Sequence, residues 1–129
     1  MVENKTLYIA EDDPDDRMLL VDAIRSIDPG IEIIEAEDGK ELLNILQTTA
    51  PTHPSLVVLD VNMPRLNGLE TLARLRSIPQ LAWLPAVMVS TSNNSELMET
   101  AKSLGALNYF IKPTQVHDLL NLANRLVLA

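Results

Sequence analysis

Cysteine is absent from this chain, which excludes disulfides and thiolate metal sites and fits a reducing compartment. Histidine is scarce: His53 and His117 stand alone, without ligand-like spacing to each other, and read as solvated side chains. Four aromatic residues leave the interior to aliphatic side chains. Positive charge is in deficit, with 10 Lys and Arg against 18 Asp and Glu, a formal net charge of −8. That balance argues against a nucleic-acid partner bound through a basic face. No apolar run approaches the roughly 18 residues of a membrane span, and no basic, apolar and small-residue leader opens the sequence. The expectation is therefore a cytoplasmic protein with no membrane partner. Repeats, low-complexity segments and linkers are also lacking. The 129 residues are expected to form one domain, 1–129, with no effector module of its own.

What is present centres on SLVVLDVNMP, Ser55 to Pro64. Ser55 to Leu59 reads as a strand buried on both faces, as in a parallel sheet. It opens at Asp60 into turn and helix-start residues, Asn62, Pro64 and Asn67-Gly68. A first strand, Thr6 to Ala10, runs into Glu11-Asp12-Asp13, where Asp13 suits a helix cap and Pro14 the first helical position. Leu20, Ala23, Ile24 and Ile27 form that helix's inner face. Ile31 to Ala36 is a second strand, and Asp38-Gly39 opens a helix with Leu42, Leu43 and Leu46 inward. A helix over about Asn67 to Arg76 turns Leu69, Leu72 and Leu75 inward, and Trp83 in the following loop reads as a packing plug. Ala86 to Val89 is a fourth strand ending in Ser90, Thr91 and Ser92, followed by a helix to Leu104 capped by Gly105. Leu107 to Ile111 is a fifth strand ending at Lys112-Pro113. The last helix is expected to bury Val116, Leu119, Leu120, Ala123 and Val127, leaving Leu122 and Leu128 off the inner stripe.

Five strands alternating with five helices imply an α/β fold, a doubly wound parallel sheet with right-handed crossovers. Two strand orders compete, and five strands favour 2-1-3-4-5, the flavodoxin-like order. That order sets strands one and three side by side at the topological switch point. Glu11, Asp12 and Asp13 then meet Asp60, with Ser90 and Lys112 on the same rim. Crowded carboxylates repel, so they raise a pKa or bind a cation. An oxygen-only donor set points to a hard cation such as Mg²⁺, or another divalent ion such as Mn²⁺. Asp60 is a natural nucleophile there, since an ionised carboxylate needs no general base, only a metal and a cation to offset arriving phosphoryl charge. Taken singly, the acidic run is a solvated helix start, Lys112 a surface lysine and Ser90 a strand end. Asp15, Asp16, Asp22 and Asp38 read as caps or surface charges.

These residues resemble the receiver domain of two-component response regulators, the CheY-like fold. The matching pieces are Glu11-Asp12, Asp60, Asn62-Met63-Pro64 with Gly68, Ser90, and Tyr109 with Lys112-Pro113, spaced along the whole chain. The resemblance implies that Asp60 is the phosphoacceptor for a phosphoryl group from a histidine kinase or histidine phosphotransfer protein. It implies that Asp12 ligates Mg²⁺ directly, Glu11 through water, and Asn62 through its backbone carbonyl. Lys112 would contact the acyl phosphate, and the Lys112-Pro113 bond would be cis, a state that proline makes accessible. Ser90 would bond a phosphate oxygen and Tyr109 would rotate inward, changing a protein-binding face. Phytochrome-type kinases are among those that serve small receivers of this kind. The pattern departs at Thr91, usually alanine or glycine, whose branched side chain narrows access to Asp60, and at the acidic triplet where the family needs a pair. The expected output is contact with a downstream protein through the fourth helix, fifth strand and last helix, a face that is also a candidate homodimer surface with Leu122 beside it. Two other classes compete. A phosphatase of the haloacid dehalogenase type needs an aspartate where this chain has Asn62, and a flavodoxin-like ligand binder needs a phosphate loop where this chain has EDDPDD.

Overall fold

A computed structural model describes residues 5–129. Five parallel strands form one sheet in the order β2-β1-β3-β4-β5. The strands are β1 (Thr6–Ala10), β2 (Glu32–Ala36), β3 (Ser55–Asp60), β4 (Ala86–Ser90) and β5 (Asn108–Ile111). Between and after them run α1 (Pro14–Ile27), α2 (Gly39–Thr49), α3 (Gly68–Ser77), α4 (Ser95–Ser103) and α5 (Val116–Leu128). Thr6 sits between Glu32 and Ser55, and Val57 pairs with Ala86, so β3 lies in the middle of the sheet. All six of its residues are buried. Burying each of Leu56, Val57, Val58 and Leu59 contributes about 1.5–3 kcal/mol relative to exposure.

Side-chain alternation along the strands divides the interior in two. Leu7, Ile9, Leu56, Val58, Val87 and Val89 pack against α1 and α5. Tyr8, Val57, Leu59 and Met88 pack against α2, α3 and Ala101 of α4. The helix starts follow the local chemistry. Asp13 accepts the N–H groups of Asp15 and Asp16, Asp38 that of Glu41, and Asn67 with Glu70 forms a reciprocal capping box. At the far end, Lys5 donates its ammonium to the carbonyls of Val127 (3.2 Å), Leu126 (3.4 Å) and Ala129, clasping the end of α5 beside the entry to β1.

Several expectations need correction. In α5 the buried residues are Leu122, Ala123 and Leu126, while Val116 is 73% exposed and Leu120 40%. The helix carries two apolar stripes at helical spacing that share Leu119 and Ala123. Packing on α1 selects the one that contains Leu122, so Leu122 is interior and offers no dimer contact. Trp83 is not a plug: it is 44% exposed, with Nε1 donating to the Gln80 carbonyl at 3.0 Å. Among the described residues the cis peptide bond is His53–Pro54, and Lys112–Pro113 is trans. Both are X–Pro bonds, whose isomers differ by only about 0.5–1 kcal/mol in a free chain, so tertiary surroundings choose between them.

Candidate functional site

The carboxyl ends of β1 and β3 bring Glu11, Asp12 and Asp60 together, with one carboxylate oxygen of each lying within 4.8 Å of the others. Glu11 and Asp60 are buried, at 5% and 4% exposure, and Asp12 is exposed. Lys112, carried in by the end of β5, reaches across the rim. Its Nζ lies 2.6 Å from Glu11 Oε1, 3.3 Å from Asp60 Oδ2 and 3.2 Å from Asp16 Oδ2. The Lys112 backbone N–H donates to the Ser90 carbonyl at 2.7 Å, which fixes the base of the side chain.

Three acids and one ammonium leave an excess of negative charge in a partly dry place. Burial, reinforced by the Asp60 carboxylate, pushes Glu11 up to about 8, although Lys112 and the Asp13 N–H oppose the rise. Burial works against the Lys112 ammonium, but Glu11, Asp60 and Asp16 outweigh it and hold its pKa above the ordinary lysine value. Such a site gains from a further cation. Its donors are all oxygens, and an Mg²⁺ or Mn²⁺ ion suits that set.

The loops that frame the rim are tied down individually. The Glu11 N–H donates to Ala36 O (3.1 Å), and Arg17 Nη1 donates to Glu11 O (2.7 Å) while its Nε reaches Glu35 (3.1 Å). After Asp60, the Asn62 N–H donates to Asp60 Oδ1 at 3.3 Å. The Gly68 N–H donates to Val61 O at 2.9 Å, and a Cβ at Gly68 would lie 2.3 Å from Asp60 O, so the start of α3 is pressed against the end of β3. Ser90 is fully buried and its Oγ accepts the Ser92 N–H at 3.1 Å. The Tyr109 hydroxyl donates to Ser92 O at 2.9 Å, and its ring packs on the core beneath α3 and α4. Thr91 is exposed and lines a cleft of about 270 Å³ with Glu11, Asp16, Leu19, Lys112 and Pro113.

The fold therefore gathers Glu11, Asp12, Asp60 and Lys112 into one cluster. It puts Ser90 and Thr91 at the end of the neighbouring strand and couples Tyr109 to the loop after β4. Sequence reasoning missed Asp16 as a partner of Lys112. Its place in the first turn after Asp13 was visible, but its reach to a lysine 96 positions away was not.

A family model for the response regulator receiver domain matches residues 7–124. The chain belongs to the response regulator receiver domain family. An uncharacterized 14.6 kDa protein from the sodA1 3′ region of Leptolyngbya boryana is 32% identical over 95% of this chain and 90% of its own length. The transcriptional regulatory protein PdtaR of Mycobacterium tuberculosis is 33% identical over 90% of this chain, and this chain spans 53% of PdtaR. Among solved structures, the phosphorylated cyanobacterial phytochrome response regulator RcpA superposes with a TM-score of 0.86 at 26% identity, covering 96% of this receiver and 91% of RcpA. The Mn²⁺-bound form of response regulator Rcp1 superposes with a TM-score of 0.81 at 26% identity, covering 95% and 91% of the two chains. These receivers share the five-stranded 2-1-3-4-5 architecture seen here. Among the described residues no helix is long and apolar enough to cross a membrane.

Proposed function

We propose that this receiver domain, residues 1–129, acts as a phosphorylation switch in a cytoplasmic two-component phosphorelay. Asp60 takes a phosphoryl group from the phosphohistidine of a sensor kinase or histidine phosphotransfer protein. One carboxylate oxygen of Asp60 forms the new O–P bond as the P–N bond breaks and the imidazole leaves. The observation that carries this reading is Asp60 itself, buried at a strand end, with a lysine ammonium at 3.3 Å and two further acids beside it. A divalent cation, Mg²⁺ or Mn²⁺, would be held by Glu11, Asp12, Asp60 and the backbone carbonyl of Asn62, and would neutralise phosphoryl oxygens. The Mn²⁺-bound form of Rcp1, a similar receiver, supports that choice.

The chain's own groups divide the remaining work. Lys112 offsets charge on the arriving group. The Ser90 hydroxyl donates to a phosphate oxygen and gives up the Ser92 N–H, which frees the loop that the Tyr109 hydroxyl holds. That loop leads into α4, so the output face is α4, β5 and α5, where Met98, Leu107, Ile111, Val116 and Leu120 are exposed. A downstream protein, or a second copy of the receiver, binds there. The protein is not an enzyme in its own right beyond slow loss of its acyl phosphate, because Asn62 and Ser92 beside the site are poor bases for activating water.

Treatment with a small phosphodonor and Mg²⁺, followed by mass spectrometry, tests the assignment. One phosphoryl group should appear on Asp60, none should appear without Mg²⁺, and Asp60→Asn should stay unlabelled. Full labelling of Asp60→Asn would remove Asp60 from the role. A beryllofluoride complex in which Tyr109 and α4 keep their present positions would remove the switch.

A further inference from the structure

One buried charge takes no part in the chemistry above. Asp38 caps α2, its Oδ1 accepting the Glu41 N–H at 2.8 Å, and it is only 3% exposed. Its second oxygen receives the guanidinium of Arg65, with Nε at 2.9 Å and Nη2 alongside. Burial disfavours the Asp38 anion, yet the Glu41 N–H and Arg65 together hold its pKa below the ordinary aspartate value. Arg65 belongs to the loop between β3 and α3 and adopts a φ of 65°, a left-handed conformation that a residue with a Cβ disfavours. The side chain of Arg65 is mostly in water, at 61% exposure, so the pair has a dry anion and a wet cation.

The loop that carries Arg65 also carries the Asn62 N–H that bonds Asp60 Oδ1. Its other anchors are the buried Val61, Met63 and Leu66. Next to the cap, a Cβ on Gly39 would lie 1.8 Å from Thr71 Oγ1 and 3.0 Å from Leu66 O, so the start of α2 is in direct contact with this loop and with α3. Two guanidinium N–H groups converge on the one carboxylate oxygen that the α2 cap leaves free, a charge-assisted contact that ties the loop to the start of α2. It also offsets the disfavoured backbone at Arg65.

The geometry points to the Asp38–Arg65 pair as a latch that positions the β3–α3 loop, and through the Asn62 N–H the Asp60 carboxylate, for binding a divalent cation. Asp38 and Arg65 are positioning residues: neither reaches the acidic cluster. The inference rests on the metal reading of that cluster. A ligand's own hydrogen-bond partners commonly tune metal affinity, and loosening the loop removes one partner of Asp60.

Calorimetric titration of the full chain with Mg²⁺ tests it, alongside thermal denaturation. Asp38→Asn keeps a capping oxygen and loses the charge. Arg65→Gly loses the guanidinium and relaxes the left-handed backbone, so it should fold. Each is expected to weaken Mg²⁺ binding by about tenfold, the low end for losing a hydrogen-bond partner of a metal ligand. The double variant should be no weaker than the worse single one, as residues of one unit are not additive. Arg65→Lys, which keeps charge but not the fork, should fall between Arg65→Gly and the wild type. Wild-type binding with both single variants inside twofold of it would overturn the latch, whatever their melting temperatures. A wild type that binds no Mg²⁺ would overturn the metal reading and the latch with it.

Discussion

Asp60 ends β3 with its carboxylate in a wall of buried apolar residues on one side and Lys112 on the other, so small changes around it should have separable effects. Thr91→Ala should speed phosphorylation by small donors, because Thr91 lines the cleft beside Lys112; the labelling rate with acetyl phosphate checks this, and an unchanged rate removes the steric claim alone. Gly68→Ala should destabilise the protein by about 1–3 kcal/mol, since the new Cβ meets the Asp60 carbonyl and either strand or helix must shift; denaturant melts measure it. At this scale much of the site was legible. Asp60 and Ser90 end strands, Glu11, Asp12 and Lys112 directly follow strands, and strand ends can be read from a run of apolar residues that stops. What could not be read were pairs set by three-dimensional closure. Asp16 and Asp38 looked like ordinary caps, yet one meets Lys112 and the other Arg65. The trans isomer of the Lys112–Pro113 bond is likewise set by three-dimensional surroundings and not by the dipeptide.

The helices differ in how firmly they are held. α2 buries Gly39, Leu42, Leu43 and Leu46, whereas α4 buries Ala101 alone, with Leu97 and Leu104 half-covered. The C-terminal end of α4 is fixed by Arg76, whose guanidinium donates to the carbonyls of Leu104 (2.9 Å), Gly105 (3.2 Å), Ala82 (3.0 Å) and Leu84 (2.6 Å). The N-terminal end depends on the Tyr109 hydroxyl and the Asn94 cap. Amide exchange should therefore be faster in α4 than in α2, and Tyr109→Phe should raise it further around Ser92 to Asn94 without touching α2. Equal protection of the two helices would contradict this account. The α2 cap also has a pH signature. The folded-state pKa of Asp38 lies below its unfolded value, so its contribution to stability is complete above roughly pH 3.9 and is lost as pH falls through the lower folded value. The stability gap between wild type and Asp38→Asn should accordingly close in acid, which urea melts at descending pH would reveal. Element boundaries were legible wherever a cap residue stood at the start. The face of α5 was not, because a helix apolar on two overlapping stripes takes its rotation from its neighbour α1 rather than from its own sequence.

Alternation of strands and helices implied a parallel sheet with right-handed crossovers and left two strand orders, of which the sheet adopts the one that five strands favour. The net charge of −8 is then spread over a molecule whose site is itself acidic. Divalent cations should stabilise it by mass action, about 2.7 kcal/mol at a concentration one hundred times the dissociation constant. The melting temperature should climb with Mg²⁺ concentration in the wild type and climb less in Asp12→Asn. The site lies where the strands end, and Lys5 marks the opposite edge, where its ammonium holds the carbonyls that close α5. The first strand and the last helix thus leave the fold side by side, remote from Asp60. Topologically the receiver is close to a ring. Joining Lys5 to the end of α5 by a short linker and reopening the chain between Ala50 and Pro51, in the segment before β3, gives a circular permutant of the described domain that should keep the sheet order and the same Mg²⁺ affinity.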